Sequence, residues 1–166
     1  MSISKRLKFI ADLVCAGPVA ADIGTDHAIV PVYLLKEDRV GKVIAVDLSR
    51  ECIKKAQDAA IRHHLEEQLE ARLSDGLEKI SPGEVSSIVI SGMGGILMTQ
   101  ILESGLDVVL ETKELILSPH RDADLVREFL ENNDLEIVLD EVIEDKKKKY
   151  CVIKAVNKRF FLKETT

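Results

Sequence analysis

Hydrophobic positions along the chain switch between two periods. Leu7, Ile10, Ala11, Leu13 and Val14 recur at helical spacing over residues 4–15, with Ser4 placed to cap the first turn. Gly17-Pro18 breaks that pattern, and Val19-Ala20-Ala21-Asp22-Ile23-Gly24 then reads as a short buried strand ending in a turn. Residues 27–37 have a helical pattern, with Pro31 tolerated only in the first turn. Val43 to Asp47 is apolar on both faces, as a central parallel strand is. Ser49 is placed to cap a helix reaching about His64, whose apolar stripe is Cys52, Ile53, Ala56, Ala59 and Ala60. Strands are expected at 68–74, 85–91 and 114–118, with a helix from Ile96 to Leu102 between the last two. Asp122 is expected to cap a helix carrying Leu125, Val126, Phe129 and Leu130. Leu135 to Ile143 and Tyr150 to Val156 follow as strands around a turn at 145–149.

Strands alternating with helices imply right-handed βαβ units and a parallel sheet. The last two strands have no helix between them, so they are expected to pair as an antiparallel hairpin. The prediction is an α/β fold, Rossmann-like, with a largely parallel seven-stranded sheet and a C-terminal antiparallel hairpin. One domain is expected over residues 1–156, with 157–166 as a basic tail.

Composition adds exclusions. A chain of 166 residues with 46% hydrophobic residues buries an adequate core without staples. The apolar run Ala28 to Leu35, interrupted by Pro31, is far shorter than the roughly 18 residues of a membrane span. No apolar signal core follows Met1, so a cytoplasmic location is expected. Cys15, Cys52 and Cys151 are widely spaced, which suits buried reduced thiols rather than a metal site or a disulfide. Charge is uneven: residues 1–145 hold 15 Lys+Arg against 28 Asp+Glu, and residues 146–166 hold 8 against 1. The acidic body is a poor nonspecific nucleic-acid binder, whereas the basic end suits phosphates.

Candidate chemistry gathers at strand ends, where open α/β sheets bind ligands. After the first strand stands Asp22-Ile23-Gly24-Thr25-Asp26-His27, and the second ends in Asp47, 25 residues after Asp22. A carboxylate there suits ribose hydroxyls, and Gly24 allows a close approach of backbone to ligand. One glycine and two acids replace the G-x-G-x-x-G of dinucleotide folds. Two carboxylates repel a pyrophosphate but suit a cation, which favours an adenosine-type ligand carrying positive charge over a nicotinamide cofactor. After the fourth strand, the glycines of Ser91-Gly92-Met93-Gly94-Gly95 admit a flat base, with Met93 either on its face or in the core.

The segments Met1 to Leu7, Asp22-Ile23-Gly24-Thr25-Asp26-His27-Ala28, Asp75-Gly76-Leu77 and Ser91-Gly92-Met93-Gly94-Gly95 resemble the bacterial TrmK family of tRNA (adenine-N1)-methyltransferases, which act on adenine 22. The resemblance implies a class I methyltransferase domain using S-adenosyl-L-methionine on tRNA; the cysteine spacing and short apolar runs add the expectation of no metal and no membrane partner. It places Asp22, Gly24 and Asp47 on the cofactor, Asp75 and Gly76 beside its adenine, Ser91 and Gly92 at the methyl site, and Asp26 as the catalytic aspartate at the adenine amine. Outside the resemblance, His27 and Leu48 are candidate cofactor contacts, with packing the equal alternative for His27, and Met93, Gly94, Gly95, Pro119 and His120 are candidates for the substrate base. A helix cap is the competing role for Asp26. TrmK proteins usually have Glu at the position of Asp47, and Gln-Pro-Asn where this chain has Ser118-Pro119-His120. They usually continue into a C-terminal helical domain, whereas this sequence ends at Thr166. Two alternatives stay open: a cofactor-binding module inactive without that domain, and a nicotinamide-dependent oxidoreductase. The run Lys146 to Lys149 is either a solvated hairpin tip or, with Lys154, Lys158, Arg159, Phe160, Phe161 and Lys163, an RNA contact.

Overall fold

The structure is a computed structural model and describes residues 3–15 and 17–160. Strands β1 (Val19–Ile23), β2 (Lys42–Asp47), β3 (Leu69–Leu73), β4 (Ser87–Met93) and β5 (Glu114–Pro119) run parallel. Strands β6 (Leu135–Asp145) and β7 (Lys148–Asn157) form an antiparallel hairpin, and β7 also pairs antiparallel with β5. The seven-stranded sheet has the order β3-β2-β1-β4-β5-β7-β6. The expected architecture is therefore present, with the return strand β7 inserted between β5 and β6.

Period-two alternation explains why the parallel strands read as unbroken apolar runs. Ala21, Ile23, Ile44, Val46, Ile88, Ile90, Leu115 and Leu117 face one layer, built with α4 (Gly95–Ser104), α5 (Leu106–Val109) and α6 (Ala123–Asn132). Ala20, Val43, Ala45, Val89 and Ile116 face the other, built with α1 (Lys5–Asp12), α2 (Ile29–Lys36) and α3 (Arg50–Arg62). Both faces are covered, so neither has a polar set.

The caps at Ser4 and Ser49 form as predicted, each hydroxyl accepting from the amide three residues on. Other boundaries move. Helix α2 starts at Ile29 rather than at 27, because Asp26 and Ala28 have positive φ and the chain is still turning. Pro31 falls in its first turn. Asp122 holds the N-cap position of α6 in a left-handed conformation, and its side chain makes no cap bond. Strand β4 runs from 87 to 93 instead of 85 to 91. Cys15 is exposed while Cys52 and Cys151 are half-buried, so the expectation of buried thiols fails; all three are free. Asn157 ends β7 with its amide donating to the carbonyls of Leu110 and Thr112. Phe161 and Lys163 lie outside the described residues.

Candidate active site

Strand order reverses at β1, which lies between β2 and β4, so the crevice outside these strand ends is where the fold offers a site. A cleft of about 190 Å³ opens there, lined by Arg6, Leu7, Asp22, Gly24, Thr25, Asp26, His27, Ile29, Val30, Ser91 and Gly92. Six predicted site residues meet in it: Asp22, Gly24, Asp26, His27, Ser91 and Gly92.

The β1 loop is held by the end of β2. The amides of Gly24 and Thr25 both donate to the Val46 carbonyl, at 2.8 and 3.0 Å. Gly24 has φ +77°, and a Cβ there would stand 2.7 Å from the Met93 methyl. This position therefore requires glycine twice over, for its backbone and for its neighbour. Met93 lies against the core as well as over Gly24. The two oxygens of Asp47 accept from the amides of Asp26 (3.3 Å) and Ser49 (3.0 Å), which fixes the carboxylate at the cleft edge. A carboxylate has about four acceptor sites, so lone pairs remain for a ligand.

Asp26 is not the helix cap. Ala28 occupies the N-cap position of α2 without a side-chain bond, and Asp26 itself has φ +53°. Its carboxylate is 67% exposed, with His27 Nε2 at 3.7 Å and the Cys52 thiol at 3.7 Å. An acid held in a left-handed conformation and left open to solvent is spare for substrate.

Strand β4 contributes a bulge. The register with β5 shifts between Ser91 and Met93, and Gly92 at φ +85° is the inserted residue. The bulge brings Ser91 and Gly92 to the cleft wall. Across from it the His120 amide donates to the Met93 carbonyl at 2.8 Å, and its Nε2 stands 3.8 Å from the Cβ position of Gly92. Pro119 pairs with Met93 in the same ladder.

Other predicted residues lie apart. Gly94 and Gly95 face the β5–α6 loop: the Gly95 amide donates to the Arg121 carbonyl at 2.7 Å, and a Cβ on Gly95 would run into the Asp122 carbonyl. Asp75 and Gly76 line a separate hollow with Leu97, Gln100 and Ile101, beyond the end of β3. Leu48, 68% exposed, follows Asp47 at the sheet edge. A hollow of about 220 Å³ on the far side of α2 shares only His27 and Ile29 with the cleft and holds no other predicted site residue.

Two charged groups dominate the cleft. Asp22 is 4% exposed, and burial pushes its carboxyl up to about 7. The Asp47 charge adds to that rise. Arg6 was not singled out by sequence reasoning, which had only its place in the quoted N-terminal segment as a signal. Its guanidinium lies over the Tyr150 ring at 4.6 Å, and its backbone amide donates to Asp145 at 3.0 Å. Its Nη1 is buried with no hydrogen-bond partner among the described residues. A guanidinium with one nitrogen lacking a hydrogen bond and a reluctant carboxylate thus line the same small cleft without pairing to each other. Among the described residues no cluster of His, Cys, Asp and Glu is arranged to hold a metal ion, and no helix is long and apolar enough to cross a membrane.

Comparison with known proteins now decides the family. Residues 3–153 match the family described as Methyltransferase domain. The chain belongs to that family. It is 34% identical over 155 residues to the tRNA (adenine(22)-N(1))-methyltransferase of Bacillus subtilis, covering 93% of this chain and 65% of that protein. The chain thus spans just under two thirds of that relative's length. The crystal structure of the Bacillus subtilis TrmK protein superposes with a TM-score of 0.89 at 34% identity, covering 93% of this chain and 66% of that one. A Streptococcus pneumoniae putative tRNA (m1A22) methyltransferase in complex with S-adenosyl-L-methionine superposes with the same TM-score at 33% identity, covering 93% and 73%. The TrmK resemblance seen in the motifs therefore extends along the methyltransferase domain.

Proposed function

We propose that this methyltransferase domain transfers a methyl group from S-adenosyl-L-methionine to N1 of an adenine in tRNA, adenine 22, in the cytoplasm. The observation that carries the reading is Arg6 and Asp22 facing one cleft beside Asp47. An amino-acid zwitterion joined to an adenosine matches these charges in order. Its ammonium would meet Asp22, its carboxylate the Arg6 guanidinium, and its ribose hydroxyls Asp47. The bare backbone of Gly24 leaves room for it. Its adenine would extend past Leu48 towards Asp75 and Gly76. A dinucleotide pyrophosphate fits poorly, because two of the nearest side chains, Asp22 and Asp26, are acids. When bound, the cofactor supplies an electrophilic methyl group on a sulfonium.

The chain's own residues position the acceptor. Substrate adenine must leave its stack to enter, at a cost of a few kcal/mol. Ser91, Gly92, Met93, Pro119 and His120 form the wall against which the base lies. Asp26 accepts a hydrogen bond from the exocyclic amine, which raises electron density at N1 and stabilises the positive charge that develops on the ring. Because the displacement is in-line, most of the acceleration comes from holding N1 and the methyl carbon in register.

The test is transfer of labelled methyl from S-adenosyl-L-methionine to an unmodified tRNA transcript, read by nucleoside mass spectrometry. N1-methyladenosine is expected with the intact transcript and not with one carrying guanine at position 22. Cofactor binding without product favours the second reading, a binding module that needs a further RNA-binding domain.

A further inference from the structure

The β6–β7 hairpin carries a feature that the cleft does not use. Strand β7 is antiparallel to β5, so its first residues stand at the carboxyl edge of the sheet, the edge that holds the cleft. The last β5–β7 pair is Leu117 with Ile153, and the Ser118 hydroxyl donates to the Cys151 carbonyl at 2.8 Å. From Tyr150 to Lys148 the hairpin runs on past β5, by roughly 10 Å for three residues. Its base is fixed to the cleft wall. Asp145 accepts from the Arg6 amide, Tyr150 lies under the Arg6 guanidinium, and the Tyr150 and His120 rings are 6.5 Å apart.

At its end the ladder closes with Asp145 opposite Lys148, leaving Lys146 and Lys147 as a two-residue turn. Both have positive φ, 50° and 67°. This sign pattern belongs to the type I′ turn, where Asn-Gly is the unstrained choice. Lysine gains nothing for the backbone there. Lys146 to Lys149 are all exposed, and none has a carboxylate within ion-pair distance among the described residues. Four ammonium groups, two of them on strained backbone, therefore stand at the edge of the sheet that holds the cleft, with Glu144 opposite Lys149 and Asp145 opposite Lys148 in the ladder but outside ion-pair distance.

We infer that the Lys146–Lys149 tip is the docking arm for the phosphodiester backbone of the RNA whose base enters the cleft. The inference rests on the tRNA reading and names the surface that reading lacks. The arm supplies long-range attraction and several phosphate contacts, while Asp26 and the β4 bulge handle the base. Because Tyr150 and Asp145 both touch Arg6, the arm is held in a fixed position relative to the site.

The double substitution Lys146→Asn/Lys147→Gly separates docking from folding. It installs the favoured turn, so the thermal midpoint is expected to rise by a few degrees. It also removes two cations, so the slope of log affinity for a tRNA transcript against log salt should fall by about 1.4 to 1.8. Affinity for S-adenosyl-L-methionine is expected to be unchanged. The control Lys146→Arg/Lys147→Arg retains charge and should retain the slope. Binding is read by filter retention over a salt series, independently of turnover, with the unsubstituted chain in parallel. A variant with a higher midpoint and an unchanged RNA slope overturns the arm and leaves the methyltransferase reading intact. Failure of the unsubstituted chain to bind the transcript at low salt overturns both.

Discussion

Replacing Asp22 by Asn is expected to stabilise the protein and disable it. Burial holds the Asp22 carboxyl at about 7, against 3.8 for a free one. At pH 8 the ionised group therefore costs the fold roughly 4 kcal/mol relative to its ionisation in the unfolded chain. Asparagine removes the charge at the same shape. Its amide NH₂ requires an acceptor, and leaving it unmet costs about 1–3 kcal/mol, so roughly 1–3 kcal/mol of net stabilisation remains. At 2–4 °C per kcal/mol for a chain of this size, the midpoint should rise by about 2–12 °C at pH 8. The sign with pH follows from which state holds the proton. Below about pH 4 both states are protonated and Asp22 contributes nothing. Between about 4 and 7 the unfolded chain has released the proton while the folded chain keeps it, so stability falls as pH rises. Above about 7 the loss is complete. The difference between the melting curves of the two proteins at pH 4, 5.5, 7 and 8 isolates this contribution, because every other titrating group is shared. An asparagine variant no more stable at pH 8, with the same dependence on pH as the unsubstituted chain, would refute the claim of a strained carboxylate. Calorimetry on the same variant should show S-adenosyl-L-methionine bound roughly 10- to 150-fold more weakly, the value of about 1.5–3 kcal/mol for a charged hydrogen bond.

Three further substitutions probe the cleft. Arg6→Met keeps an apolar stem against Tyr150 but removes the cation, and calorimetry should show cofactor affinity falling by roughly 10- to 150-fold; an unchanged affinity removes Arg6 from the carboxylate. Asp26→Ala should lower the methylation rate roughly 10²- to 10⁴-fold with cofactor affinity intact, and turnover at the original rate would end its catalytic role. Gly24→Ala places a methyl group 2.7 Å from Met93 on backbone with φ +77°, so both the melting midpoint and cofactor affinity should fall; a variant matching the original in both would show that the loop has room.

Much of this architecture was legible because period-two burial on both faces leaves an unmistakable apolar run. Val43 to Val46 read as a central strand for that reason, and each of the four is fully buried. The strand-end acids were legible because the fold class says where ligands bind. What was not legible depended on backbone sign or on distant contact. The start of α2 slipped by two residues because nothing in Asp26 or Ala28 announces a positive φ. Gly92 as a bulge follows from the register between β4 and β5, which a single strand does not display. Arg6 was invisible because its role depends on Tyr150 and Asp145, 144 and 139 residues away. The glycines of 92–95 looked alike in sequence, yet Gly92 lines the cleft while Gly95 exists for the carbonyl of Asp122. Lysines run against the chemistry of a two-residue turn, so the turn expected at 145–149 exceeds the observed one by three residues.

Whether the cleft is charge-matched to a zwitterionic adenosyl ligand is read by calorimetric titration of the chain with S-adenosyl-L-methionine, 5′-methylthioadenosine and NAD under one set of conditions. Saturable binding of S-adenosyl-L-methionine is expected, with 5′-methylthioadenosine weaker by at least tenfold because it lacks the ammonium and carboxylate, and no binding of NAD. Equal affinity for the first two, or a preference for NAD, would contradict that match.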